Sequence, residues 1–187
     1  TVGFIRKLPH TLVEAFKARA VKRTYLAVVK GALERPLRIE TLYGRAPRDR
    51  VRFTGKVRQG KPAITHAHPL GAGEGASLVQ CQLGTGRTHQ IRVHLAEAGF
   101  PILGDPLYGP KPPPGALRAR WDALAASHHV LLHAWRLEFQ HPITAAPLAF
   151  TVPPPAAFLE HAGALGLRED GLAAEVLRPA ARDSGGF

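Results

Sequence analysis

The sequence predicts an α+β domain built on a mixed, mainly antiparallel sheet with flanking helices. Three observations carry that prediction. Segments with strand patterning outnumber those with helical patterning. Most of the strand-like segments follow one another closely enough for hairpins, which favours antiparallel pairing over crossover units. Residues 83–99, LGTGRTHQIRVHLAEAG, read instead as a glycine turn opening into an amphipathic helix.

The elements follow in order. TVGFI has the character of a strand end and is followed by a turn over 7–10. Thr11-Leu12-Val13-Glu14 has the form of a capping box, and Leu12, Ala15, Phe16, Arg19 and Ala20 continue at helical spacing, which predicts a short helix over 11–20. TYLAVVKG is apolar on both faces, as a central strand must be. Further strands are predicted at 51–57, 62–69 and 76–83, with GAGEG turning between the last two. In the helix that follows, Thr88 is the expected N-cap, Ile91, Leu95 and Ala98 form an apolar stripe, and Gly99 takes the C′ position.

PILGDPLYG reads as a loop of tight turns, GPKPPPG as a stiff connector, and 116–127 as a helix. Trp135, Leu137 and Phe139 alternate with Arg136 and Glu138, the pattern of a half-buried strand that HPITAAP returns into LAFTV. From about residue 161 the chain becomes Ala/Gly-rich. The expectation is one folded unit over 1–160 and a weakly ordered tail over 161–187, with a helical turn near 172–177.

Length and composition bound the function. The 187 residues suffice for one domain with a real core, and no run approaches the roughly 18 apolar residues of a membrane span. There is no secretory signal pattern, and the single Cys81 cannot form an internal disulfide, which suits a reducing cytoplasm. The net charge of +11 is concentrated at one end: residues 1–61 hold 16 Lys and Arg against 4 Asp and Glu. A GC-rich genome inflates arginine, but it would spread the excess along the chain. Concentrated charge points to a polyanionic partner. No basic amphipathic helix is long enough to suggest a membrane surface. The chain contains no methionine and opens at TVGFIRKLP, so either an initiator was trimmed or this is a piece of a longer chain.

The 83–99 segment invites three chemical readings. His89 and His94 are five apart, about 140° around a helix, and cannot share one metal ion. A Walker loop needs glycine where Cys81 stands and lysine where Arg87 stands, and a dinucleotide fingerprint needs glycine where Ala76 stands. A phosphate contact survives: Gly86, Arg87 and Thr88 would offer backbone N–H groups and a guanidinium at a helix start. Arg92 follows the apolar Ile91, so its head group lies near the core edge and needs a carboxylate or phosphate partner.

These residues carry a family resemblance. GTGRTHQIRVHLAEAGFPILGDPLYG resembles the third motif block of the RluA-type pseudouridine synthases, and KRTYLAVVKG the block holding that family's active-site tyrosine. YGRAPRDRVRF with GKPAITH is similar to the intervening segment, and LLHAWRLEFQHPIT with LAFTVPPP to the C-terminal hairpin. The resemblance runs from residue 1 to about 158, in the family's order and spacing. The departure is at the start, where Thr1 to Ile5 look like the end of a block of the form HRLDxxTSG with Val2 in place of serine. The family's catalytic aspartate would fall three residues before Thr1, so the domain over 1–160 is expected to lack its first segment.

The resemblance implies a sheet with a central RNA-binding cleft and cofactor-free, metal-free isomerisation of uridine to pseudouridine in ribosomal or transfer RNA. It implies that Tyr25 stacks on the uracil and that Arg92 pairs with the aspartate. Arg87, His89 and Gln90 would approach the RNA backbone. Lys22 and Arg23 are either solvated charges or part of an RNA face, and Arg48, Arg50 and Arg52 are either an RNA stripe or protection of an edge strand. Asp105 reads as a turn former before Pro106, and His128, His129 and His133 as structural histidines. Nothing points to an obligate dimer, and a cytoplasmic monomer is expected. The alternative from another class is a non-catalytic RNA-binding module.

Overall fold

The computed structural model describes residues 21–113, 115, 118–127, 129–141 and 144–167. Seven strands form one sheet: β1 (Lys22–Lys30), β2 (Leu37–Ala46), β3 (Asp49–Thr54), β4 (Lys61–Ala72), β5 (Ala76–Leu83), β6 (Leu132–Gln140) and β7 (Pro147–Thr151). Their spatial order is β3-β2-β4-β5-β1-β6-β7. Three helices join them: α1 (Gln90–Glu97), α2 (Arg118–Ala126) and α3 (Ala156–Ala164). Every strand ladder is antiparallel, and the one parallel pairing among the described residues is the isolated bridge Leu42↔Lys56. The fold is α+β, as its hairpin-linked strands predict.

The doubly apolar run in β1 is what makes it interior. Leu26 and Val28 face one side and Ala27 and Val29 the other, all at 0% exposure. Burying each of the larger aliphatic chains contributes about 1.5–3 kcal/mol. β5 repeats the pattern, with Ala76 and Leu78 on the first face and Val79 and Cys81 on the second. Trp121 and Leu124 of α2, with Phe158 and Ala162 of α3, cover the first face. Ile91 and Leu95 of α1 cover the second. Cys81 is buried there, and desolvation pushes its thiol up to about 12. No helix among the described residues is long and apolar enough to cross a membrane.

Residues 101–103 thread beside β1. Lys30 N–H donates to Pro101 O at 2.9 Å, Leu103 N–H to Val28 O at 2.9 Å, and Leu131 N–H to Leu103 O at 3.0 Å. The loop that carries Asp105 therefore leaves directly from the sheet and is held next to α1.

Several expectations change. β2 has no counterpart in the sequence reading, although Leu37, Ile39, Thr41 and Tyr43 alternate with more exposed neighbours along it. Arg48 lies in the turn between β2 and β3 rather than on the edge strand; only Arg50 and Arg52 are in β3. The Ala/Gly-rich segment does not loosen at 161: α3 continues to Ala164, and Leu165 and Leu167 are each 3% exposed in the core. Apolar spacing overrides composition there. The predicted strand end at 1–5, the helix over 11–20, His128 and the helical turn near 172–177 lie outside the described residues.

Candidate functional site

The turn from β5 into α1 is organised by one buried amide. Gln90 is 2% exposed and Thr85 3%. The Gln90 Oε1 accepts from the Thr85 hydroxyl at 2.7 Å and from the Arg87 N–H at 3.0 Å. Its Nε2 donates to Ile64 O and to Thr65 Oγ1, both at 2.9 Å. Gln90, expected from the resemblance near the RNA backbone, is here a buried strut of the turn with its amide bonded inside the fold. Thr88 is not the N-cap either. That position belongs to His89, in the left-handed conformation at φ 58° with no side-chain cap bond. Thr88 is exposed, and its carbonyl accepts the Tyr43 hydroxyl at 2.6 Å. At the other end Gly99 has φ +91° and closes the helix as its composition predicts.

The buried side of α1 is clamped to the sheet by polar contacts. His94 is fully buried, with Nδ1 2.9 Å from Thr65 Oγ1 and Nε2 3.0 Å from Thr41 Oγ1. Burial lowers its pKa, partly opposed by Glu97, so the imidazole is neutral. Glu97 accepts from the Thr54 hydroxyl and from the Gly55 N–H, tying the helix end to β3.

Arg92 projects from α1 onto the 105–109 loop. Its Nε donates to Asp105 Oδ2 and its Nη2 to Asp105 Oδ1, each at 2.7 Å. The Asp105 side chain is 0% exposed and that of Arg92 19%. The same Oδ1 accepts the N–H groups of Leu107 (2.8 Å) and Tyr108 (3.0 Å), the turn role expected of it. Burial alone would raise the Asp105 pKa, but the Arg92 and backbone donors outweigh it and hold the carboxyl below its ordinary range. Arg92 is correspondingly raised, chiefly by its bond to Asp105. The carboxylate that engages Arg92 within the described residues is Asp105. The pairing leaves Arg92 Nη1 without a partner among the described residues.

An aromatic cluster surrounds the pair. The Tyr108 ring lies 5.2 Å beneath the Arg92 guanidinium, and its hydroxyl oxygen accepts the Phe53 N–H at 2.9 Å. Phe53 stacks on Tyr43 at 5.9 Å and meets His89 edge-on. His89 Nδ1 sits 3.3 Å from the Tyr108 hydroxyl, and burial, then Arg92, lowers the His89 pKa. Two exposed cations cap the rings: Arg45 over Phe53 at 4.9 Å and Arg52 over Tyr108 at 6.0 Å.

Of the remaining predicted residues, Tyr25 is half-buried on the α1 face, packed against the cluster that includes Ile91. Arg23, two residues earlier, shares that face, and its guanidinium lies against Gly86. Lys22 points to the opposite face and pairs with Glu138 at 3.3 Å, so it is not part of this site. Arg87 reaches toward Pro62 O at 3.4 Å. Arg52 pairs with Asp49 at 3.2 Å, while Arg48 and Arg50 are exposed on the hairpin. His133 Nε2 bonds to Val152 O at 2.8 Å, and the His129 ring lies 6.2 Å from that of His161. Among the described residues no group of three or more potential metal ligands is placed to hold an ion. Sequence reasoning missed Tyr43, Arg45 and Tyr108. The period-2 pattern of β2 could have revealed the first two, since Tyr43 and Arg45 share one face.

The family model described as RNA pseudouridylate synthase matches residues 6–97. The chain is 41% identical over 148 residues to the ribosomal large subunit pseudouridine synthase D of Neisseria meningitidis serogroup A, covering 78% of this chain and 39% of that protein. It is 41% identical over 170 residues to the protein of the same name from Xanthomonas campestris pv. campestris, covering 89% and 50%. The chain therefore spans half the length of these relatives or less. The human RNA pseudouridylate synthase domain containing 1 superposes with a TM-score of 0.62 at 28% identity, over 78% of this chain and 59% of that one.

Proposed function

Because the chain belongs to the RNA pseudouridylate synthase family, we propose that it isomerises uridine to pseudouridine in a structured RNA, with ribosomal RNA as the first candidate and no cofactor. The observation that supports this best is the placement of Arg92. A guanidinium fixed by a wholly buried carboxylate, with one nitrogen unspent, stands on the sheet face that also carries Tyr25. Such a preorganised cation costs little to reorganise when an anion arrives.

In the reaction the target nucleotide leaves its stack, the C1′–N1 bond breaks, uracil turns while bound, and C5 bonds to C1′ with loss of the C5 proton. Tyr25 stacks on the uracil, and its hydroxyl is available to move that proton. Asp105 is not the attacking carboxylate, because both of its oxygens are committed and its side chain is inaccessible. The role falls to the aspartate of the HRLDxxTSG-type block, which motif order places ahead of Val2, with Arg92 Nη1 facing it. The exposed cations Arg45, Arg48, Arg50 and Arg52 supply the phosphate-binding surface.

The test is release of tritium from [5-³H]uridine in an unmodified large-subunit ribosomal RNA transcript. Release at the rate of a single modified site supports the proposal. Salt-sensitive RNA binding with no release would leave only an RNA-binding module, and absence of both would overturn the reading.

A further inference from the structure

We propose that Arg23 is a phosphate-binding residue, held in place by the missing side chain of Gly86 and directed at a phosphodiester of the bound RNA. The inference rests on the RNA-modifying reading and specifies one contact within it.

The geometry is unusual for a surface arginine. A Cβ built on Gly86 would collide with Arg23 Nη1 and lie 3.2 Å from its Cζ and 3.4 Å from its Nη2. The guanidinium therefore occupies the space a side chain on Gly86 would fill. No carboxylate pairs with Arg23 among the described residues, whereas Arg38, Arg52, Arg92, Arg118, Arg120 and Arg136 each have one. The Arg23 Nε is buried and has no hydrogen-bond partner among the described residues. A half-buried cation with an unsatisfied donor is costly unless an acceptor arrives from outside the fold.

The surroundings select that acceptor. Arg23 shares the α1 face of the sheet with Tyr25. Arg87 follows Gly86 and extends the other way, toward Pro62 on β4, so the turn has a guanidinium on either side. A guanidinium fork with an unspent donor matches phosphate geometry, and the second guanidinium across the turn adds to the positive field there. A phosphodiester beside the nucleotide that stacks on Tyr25 meets both requirements.

Gly86 makes the idea testable without altering charge. Its backbone does not adopt the left-handed conformation, so alanine is tolerated there, and the only group displaced is the flexible end of Arg23. Arg23→Gln, Gly86→Ala and the double variant would be compared by filter binding to the unmodified large-subunit transcript across a salt series, alongside tritium release. Each single variant is expected to weaken binding about tenfold and to flatten the salt dependence by about 0.7–0.9 in log–log slope, one phosphate's worth. The double variant is expected to be no worse than either single, because both remove the same contact. Additive losses, or a Gly86→Ala variant with wild-type slope and affinity, would overturn the proposal. If the wild-type protein neither binds nor releases tritium, the broader reading fails instead. Wild-type release with unaffected variants sinks the Arg23 contact alone.

Discussion

Asn at position 105 tests the organisation of the site most directly. Asp105→Asn keeps an oxygen to accept the Leu107 and Tyr108 N–H groups, so the turn survives. It removes the charge and places an amide donor against a donor of Arg92, ending the bidentate pair. Breaking a buried ion pair costs about 3–5 kcal/mol. One-fifth of the Arg92 side chain reaches water, so the lower end applies, about 3 kcal/mol. For a chain of this size that lowers the midpoint by roughly 6–12 °C. The assays are thermal and urea unfolding, followed by the fluorescence of Trp121 and Trp135, both in the core.

The pH dependence has a definite sign. The folded-state pKa of Asp105 is depressed, so its contribution is complete above the unfolded value near 3.8 and is lost as pH falls through the folded value. The stability gap between wild type and Asp105→Asn should be constant from pH 7 to about 5 and close below 3.8. A gap under about 1 kcal/mol at pH 7, or one that persists undiminished into acid, would refute the assignment. Because Arg92 loses its anchor, turnover should fall by more than RNA affinity does.

Other perturbations probe separate parts of the same framework. Tyr25→Phe keeps the ring and removes the hydroxyl, so tritium release should slow by about 10²-fold or more while filter-binding affinity stays within twofold; equal losses would deny the hydroxyl a chemical role. Gly104→Ala forces φ +75° on a residue with a Cβ and drives that atom into the His129 carbonyl, which should destabilise by about 3 kcal/mol in thermal or urea unfolding. His94 is buried and its pKa is depressed below 6.5, so its stabilisation is complete above pH 6.5 and is lost on acidification. Wild-type stability should decline between pH 6.5 and 5, and His94→Gln should flatten that limb.

Legibility in the sequence followed the range of the interactions involved. β1 declared itself because burial on both faces demands an unbroken apolar run, a requirement independent of what packs against it. Gly99 was visible because a helix end with positive φ selects glycine locally. The motif block over 83–109 pointed to the correct family because its residues sit together in the chain. β2 was missed because its alternation carries little apolar contrast, with Thr41 on the more buried face and Leu42 on the exposed one.

What escaped the sequence entirely depended on partners far apart in the chain. Thr88 carries the right side chain for an N-cap, but Gln90 reaches β4 across 25 and 26 residues to brace the turn, and the helix start falls to His89 in the left-handed conformation. Arg92 visibly needed a carboxylate. The sequence supplied the need, and only the path of residues 101–103 along β1 determined that Asp105, 13 residues on, would meet it. Arg23 and Gly86 are likewise unremarkable apart. Sequence determines which groups cannot be left alone, because desolvation cost belongs to the residue itself. Which partner answers each of them depends on long-range strand register, and that exists only once the sheet has closed.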